Sequence, residues 1–475
     1  MNNPSFCVLI PSHPHIRNAK QNKRLNISAY FGLKIVLNEL ELNHGIIPEF
    51  VTYEHVHKFD FVLVSMLSID DFYRVAFTFY HRLKGKKNNI WIGGGAAVQN
   101  LAPLSDIFDA VLIGRAEGIL DRFISALLHE IRYYHPSIVY FDEYREGDLH
   151  EINYVKKLYS QQLGSEKETM SGCKYNCGYC RYRISALPPK MRDSDKDTTM
   201  PGNEETFWEL TINNSKPHTT SLDGLRQGIR YAVTKRIADQ DIVSKLIEIG
   251  MTQPRINLKV YLICAYPNNP EFDFSALRDI LAQVDRGLTG AKFTIKFHIT
   301  PFSAEPGTPM QWEPVNIAIN YNLAMRQFKK EVGSVFVSDQ IRAYLLNTTM
   351  SNWSVLLRAI HLRSSLADMD ILRDISSNVF YRSHIHSNTA KFEKLISEHD
   401  ITKFVQEYPI GHQLPSSNIK SWRSDISIER QATKIRRRLI EESEFYSPGP
   451  IALHLVVNKK FAQLYPHLIP HLIEN

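Results

Sequence analysis

Apolar and polar positions along the first 150 residues alternate in a way that predicts strands and helices in turn. Phe6 to Ile10 is a short apolar run with the character of a buried strand, and the Pro11-Ser12-His13-Pro14-His15 loop ends it. From Ser28 to Leu42 the residues Tyr30, Leu33, Ile35, Val36 and Leu40 recur at helical spacing, and His44-Gly45 supplies the stop. Phe59 to Ser65 predicts a second buried strand, Asp70 to Lys84 a helix, and Asn89 to Ile92 a third strand that runs into Gly93-Gly94-Gly95. Asp109 to Gly114 reads as another strand, followed by Glu117 and a helix through His129. This alternation predicts a doubly wound parallel sheet, in which ligands bind beyond the carboxyl ends of the strands. Those ends carry Ser65, Gly93, Gly94, Gly95 and Gly114.

The pattern then changes. Ile138 to Tyr140 predicts a short strand, and the stretch onward to Thr169 is a polar, charged connection. Asn257 to Pro267 reads as a buried strand with a proline stop, after a helix predicted from Asp239 to Ile249. Beyond about residue 340 the spacing is mainly helical, with Trp353 to Ile360 and Thr433 to Glu442 as examples. The Arg436-Arg437-Arg438 run in the latter is read as a solvated helix face, a phosphate-bearing substrate or RNA being the sharper alternative. The organisation expected is α/β, with regions at 1–150, 151–340 and 341–475.

Composition sets few further bounds. With 475 residues, 43% hydrophobic and 22% charged, the chain has ordinary globular character and material for several cores. A net charge of +6 permits an anionic substrate without requiring nucleic acid. Neither a signal-peptide pattern nor a run of roughly 20 apolar residues is present, so a cytoplasmic location is expected.

Chemistry enters with the cysteines. Five in the whole chain is a sparse, odd number that argues against a disulfide framework. Three of them, Cys173, Cys177 and Cys180, stand at C-x3-C-x2-C spacing, with Tyr179 before the last. Thiolates this close together can grip three corners of a [4Fe–4S] cluster and leave its fourth iron without a protein ligand. Gly172 and Gly178 let the backbone curl around such a group. Structural zinc prefers four closed ligands, usually as two pairs, and no second pair exists; Cys7 and Cys264 each stand alone in apolar runs. A zinc-stapled, non-catalytic nucleic-acid-binding module is therefore the alternative from another class.

The cysteine spacing resembles that of the radical S-adenosylmethionine (radical SAM) enzymes. The stretch from Ile92 to Leu120 is similar to the cobalamin-binding-type, Rossmann-like domain that precedes many of their cores. That resemblance implies a partial (β/α)6 TIM-like barrel in the middle region, a mostly helical C-terminal region, and three cofactors: a [4Fe–4S] cluster, S-adenosylmethionine (SAM) and cobalamin. It assigns Cys173, Cys177 and Cys180 to the cluster. Gly93, Gly94, Gly95, Gly114 and Glu117 fall around the cobalamin tail or its remnant. The family's D-x-H-x-x-G motif is missing, so His15 is the weak candidate for an axial ligand. Asn203 with Glu204 or Glu205 lies where the SAM amino group is received, although a Glu pair also suits an ordinary first helical turn. Ser221 falls near the SAM ribose and Arg226 near its carboxylate, in the string S-L-D-G-L-R. Cys264 and Ala265 replace glycines in a family strand that ends in G-x-P, and Lys296 to Trp312 resembles the late strand and proline-rich turn. The activity implied is a cobalamin-dependent methyltransferase acting on an unactivated carbon or phosphorus. An oxidative cyclase or rearrangement enzyme without methyl transfer is the rival within the family. Implied partners are a small-molecule or peptide substrate and an electron donor such as flavodoxin or ferredoxin, with nucleic acid less favoured.

Overall fold

The computed structural model describes residues 4–9, 11, 31–85, 87–154, 170–171, 177–181, 190–191, 218–269, 274–316, 321–332, 340–347, 352–379, 398–420 and 423–445. The architecture is mixed α/β with two main sheets. The first contains β1 (Phe6–Leu9), β2 (Glu49–Val51), β3 (Phe61–Ser65), β4 (Ile90–Gly94), β5 (Ala110–Leu112) and β6 (Ile138–Tyr140). They lie in the order β2-β1-β3-β4-β5-β6; the first five run parallel and β6 is antiparallel to β5. Period-two alternation divides the side chains between two cores. Cys7, Leu9, Val62, Val64 and Trp91 enter one, while Phe6, Val8, Phe61, Leu63 and Ile92 enter the other. Burial on both faces explains why the strands read as unbroken apolar runs.

Helices α1 (Phe31–His44), α2 (Ile69–Phe77) and α3 (Leu120–Leu128) cover this sheet. Leu33 and Leu40 of α1 and Phe123 and Ile124 of α3 pack on one face, and Phe72, Val75 and Ala76 of α2 on the other. A capping box starts α2: the Ser68 hydroxyl accepts from the Asp71 amide, and the Asp71 carboxylate accepts from the Ser68 amide at 3.0 Å. The helix predicted to reach Lys84 ends sooner, and a π-helical turn, Thr78–Arg82, continues it.

Short pairs follow: β7 (His150–Glu151), β8 (Met170–Ser171) and β9 (Lys190–Met191), the last two antiparallel to each other. The second main sheet is wholly parallel, in the order β10 (His218–Ser221), β11 (Arg255–Cys264), β12 (Lys292–Pro301), β13 (Ile341–Asn347). Between these strands run α4 (Gln227–Ala232), α5 (Asp239–Thr252), α6 (Ser275–Gly287) and α7 (Tyr321–Glu331). Alternate residues of β11 and β12, among them Leu258, Val260, Phe293 and Phe297, pack against α5, α6 and α7. The intervening positions, Lys259, Tyr261, Lys296 and His298, form the polar face of the sheet. Among the described residues, four parallel strands alternate with helices in this sheet.

The remaining elements are α8 (Asn352–Arg363), α9 (Met369–Val379), α10 (Thr402–Val405), β14 (Ile419–Lys420) and α11 (Asp425–Phe445). They pack between the other regions. Helices α8 and α9 contribute Leu356, Ile360 and Leu372 to the core that also holds Trp91 and Phe72, and β14 pairs in parallel with β7. Among the described residues no helix is long and apolar enough to cross a membrane.

Candidate active site at the cysteine turn

Cys177-Gly178-Tyr179-Cys180 forms a tight turn in which the Cys180 amide donates to the Cys177 carbonyl at 3.3 Å. Two long-range bonds clamp it at Gly178. The Gly178 amide donates to the Val233 carbonyl at 3.0 Å, and the Met310 amide donates to the Gly178 carbonyl at 3.2 Å. Val233 follows α4, and Met310 lies in the proline-rich turn after β12, so the cysteines sit over the carboxyl ends of the core strands. That end of a parallel β/α structure is where its loops build active sites. A Cβ at Gly178 would collide with the terminal Cδ1 of Ile435 of α11, so a side chain there would oblige Ile435 to shift.

The surroundings combine an aromatic wall with a buried ion pair. The Tyr179 ring lies 6.1 Å from that of Tyr266, which lies 5.6 Å from Phe302. The Tyr266 hydroxyl donates to the Asp223 carbonyl at 2.9 Å. Lys235 and Asp223 are both buried and pair at 2.8 Å. Burial pushes the Cys177 thiol up to about 12, with the Lys235 ammonium pulling against the rise. Metal binding needs thiolates, and a nearby ammonium favours them. Two thiols on one turn beside a cation are a donor set that suits an iron–sulfur group. Cys173 lies outside the described residues, among which no three His, Cys, Asp or Glu gather in a metal-binding arrangement.

Backbone strain concentrates here. Of the six non-glycine residues with positive φ among those described, Asp223, Thr234, Ala265 and Asn268 follow β10, α4 and β11 around the turn. Each such conformation costs on the order of 1 kcal/mol or more, and strain of this kind gathers at functional sites. Ala265, with φ of 55°, adopts the left-handed conformation for which glycine is usually chosen.

Ser221 ends β10, and its hydroxyl donates to the Asp223 carboxylate. Arg226 is buried; its Nη2 donates to Asn269 at 2.9 Å, and its Nε lies 3.8 Å from Glu442 of α11. Asn269 in turn donates to the Leu439 carbonyl at 2.9 Å, so the loops after β10 and β11 are tied to α11. Asn203, Glu204, Glu205 and His15 lie outside the described residues.

The N-terminal glycines stand at the carboxyl edge of the first sheet, and the chain itself crowds three of them. A side chain at Gly95, with φ of 107°, would strike the Met66 carbonyl. At Gly93 it would meet Phe108 and Val111 at 3.0 Å, and at Gly114 the Asn153 carbonyl at 2.6 Å. Gly94 is different: a Cβ there would meet nothing nearer than the Leu112 carbonyl at 3.9 Å, an ordinary contact. Glu117 pairs with Arg115, and the Asn153 amide nitrogen donates to the Glu117 carbonyl at 3.1 Å. The strand order β2-β1-β3-β4-β5 puts a topological switch point between β1 and β3, where sheets of this kind bind ligands.

Sequence reasoning passed over Lys235, Glu305 and Arg358. Arg181 directly follows the third cysteine. Burial pulls its guanidinium down to about 10, and it donates to the Pro306 carbonyl at 3.1 Å. Glu305 lay inside a stretch read for its prolines, and only tertiary folding brings Arg358 to it, at 2.5 Å.

No protein-family model matches the chain. It is similar to an uncharacterized protein of Methanocaldococcus jannaschii, 26% identical over 158 residues, which is 30% of this chain and 34% of that protein. Among solved structures it is similar to the cobalamin-dependent S-adenosylmethionine radical enzyme OxsB with aqua-cobalamin and S-adenosylmethionine bound. The identity is 12% and the TM-score 0.28, covering 88% of this chain and 60% of that one. The apo, selenomethionine-labelled form of OxsB gives 13% identity and a TM-score of 0.30, with the same shares covered. The chain thus spans about a third of the archaeal protein and three fifths of OxsB.

Proposed function

We propose that this protein is a radical SAM enzyme, with Cys173, Cys177 and Cys180 holding a [4Fe–4S] cluster. What supports the reading is the C-x3-C-x2-C spacing, together with a Cys177–Cys180 turn clamped at Gly178 where strained backbone gathers. When bound, the cluster supplies the electron that splits the SAM sulfonium into methionine and a 5′-deoxyadenosyl radical, and cobalamin supplies a methyl carrier. The chain's own share is to bind, orient and exclude water. Tyr179, Tyr266 and Phe302 wall one side, and Ile435 covers Gly178. The Lys235 ammonium favours a thiolate at Cys177, while the Asp223 carboxylate it pairs with opposes one. Asn203, Glu204 or Glu205, Ser221 and Arg226 are the residues proposed to receive SAM.

The finer reading is a methyltransferase acting on an unactivated carbon or phosphorus, with cobalamin on the first sheet. The switch point beside β1 and the uncrowded position at Gly94 support it, and His15, a few residues on in sequence, is the proposed axial ligand. A flavodoxin or ferredoxin is the proposed electron donor, and a cytoplasmic location suits oxygen-sensitive chemistry.

Anaerobic reconstitution with iron and sulfide tests the core claim. The protein should turn brown and release 5′-deoxyadenosine when reduced with SAM, and Cys177→Ala should lose both properties. A colourless protein that retains zinc would refute the reading. Retention of a corrinoid spectrum after incubation with hydroxocobalamin and gel filtration tests the finer claim separately.

A further inference from the structure

A charged cluster beside the cysteine turn has no part in the functions described so far. Glu305, 7% exposed, opens the turn after β12; the Thr308 hydroxyl donates to its carbonyl at 2.7 Å and fixes that turn. Arg358, from α8, donates to it through Nε at 2.7 Å and Nη2 at 2.5 Å. Both bonds converge on Oε1, whereas a guanidinium fork usually spans both oxygens of a carboxylate. The other oxygen, Oε2, is buried and receives no hydrogen bond among the described residues.

Arg181 stands one position after Cys180 and reaches the residue next to Glu305. Its recorded hydrogen bond is to a neutral acceptor, the Pro306 carbonyl, and its electrostatic partners are Glu305 and Tyr154. Asp70, in the first turn of α2, also interacts electrostatically with Arg358. The residue after the cysteine turn, the loop after β12 and α8 meet at this cluster. A buried carboxylate oxygen without a donor is costly, and a guanidinium whose hydrogen bond goes to a neutral carbonyl leaves its charge only partly compensated. One ligand relieves both costs if it brings a cationic donor and an anionic acceptor together.

We propose that Glu305 and Arg181 anchor an aminocarboxylate, a free amino acid or amino-acid-derived acid, with its ammonium on Glu305 Oε2 and its carboxylate on Arg181. Arg358 is a positioning residue that turns Glu305. That the ligand is the substrate, and not only a bound molecule, rests on the radical SAM reading. SAM is itself an aminocarboxylate, so the test must separate the two sources.

The test is a panel of free L-amino acids, with propionate and propylamine as single-group controls, assayed by thermal shift and calorimetry on the full chain without turnover. At least one amino acid is expected to bind while neither control does. Glu305→Gln and Arg181→Gln should each weaken it about tenfold or more, the worth of one charge-assisted bond. Equal response to the controls, or no response to any amino acid, overturns the proposal from wild-type data alone, whatever the stability of the variants. Labelled SAM in equilibrium dialysis is the second arm. If both variants weaken SAM and no other aminocarboxylate binds, the cluster is the SAM site and the substrate assignment falls. Amino-acid binding that persists in a Cys177→Ala protein unable to cleave SAM keeps this site independent of the radical chemistry.

Discussion

His361, on α8 one turn from Arg358, is fully buried, with its ring 4.4 Å from that of Phe72. Burial pulls its imidazole down to about 3 from an ordinary 6.5, opposed by a backbone contact from Ala97 and reinforced by Arg358 and Arg181. The unfolded chain takes up a proton below about pH 6.5, while the folded chain does not until about pH 3. Stability present above pH 6.5 is therefore lost on acidification, at up to about 1.4 kcal/mol per pH unit. The urea midpoint of the wild type should fall more between pH 7 and pH 5 than that of His361→Phe; equal losses would mean that His361 is not held neutral. Residues differ in how far such roles were legible. The cysteines declared themselves by spacing alone. Nothing local marked His361, Lys235 or Glu305, because their environments come from segments far away in sequence. Ala265 is an instructive middle case: the loss of glycine was visible, while the retained left-handed backbone was not.

Among the elements, α11 has the most consequence for the site. Ile435 abuts Gly178, Leu439 accepts from Asn269, and Glu442 lies near Arg226, so one face of the helix touches the cysteine turn and both neighbouring loops. Gly178→Ala should force Ile435 to repack and cost about 1–3 kcal/mol. Ile435→Val in the same chain should recover part of that loss, read as the unfolding midpoint and as iron retained after reconstitution. A Gly178→Ala protein of full stability would show that the helix stands further from the turn. Helix periodicity made a segment of α11 legible, but its arginine run divides in a way that composition hides. Arg436 is half-buried and pairs with Glu313 at 2.7 Å and Glu407 at 2.9 Å, Arg437 pairs with Glu441 at the surface, and Arg438 donates to the Tyr231 carbonyl. Apolar runs likewise disclosed β1, β3, β4, β5 and β11, whereas the edge strand β2, half-exposed and three residues long, carried too little pattern to be seen.

At the scale of the molecule, one hydrophobic cluster runs from Cys7 and Trp91 through Leu356 and Ile360 to Phe302, Met310 and Ile435. Residues beyond 341 thus act as filling between the two main sheets and also supply β13 to the second. Polar ties reinforce the junction. The buried Asn100 side chain donates to the carbonyls of His361 at 2.9 Å and Ser364 at 2.7 Å, and the Tyr73 hydroxyl donates to that of Leu357 at 2.7 Å. Asn100→Ala should cost about 2 kcal/mol for two lost buried bonds. It should raise amide hydrogen exchange in both 97–101 and 361–364; a rise confined to one segment would mean that the first sheet and α8 open independently.

The position of α11 also bears on the order in which the protein is made. Ile435 covers a turn centred on Gly178, so the ribosome completes the turn well before the helix that closes over it. At about 5–20 residues per second the interval is on the order of ten to fifty seconds. During that time the thiols of Cys177 and Cys180 lack this cover and are open to delivery of a metal group. After α11 docks, Ile435 lies against the Gly178 side of the turn. A cell that fills this site efficiently has reason to do so on the nascent chain.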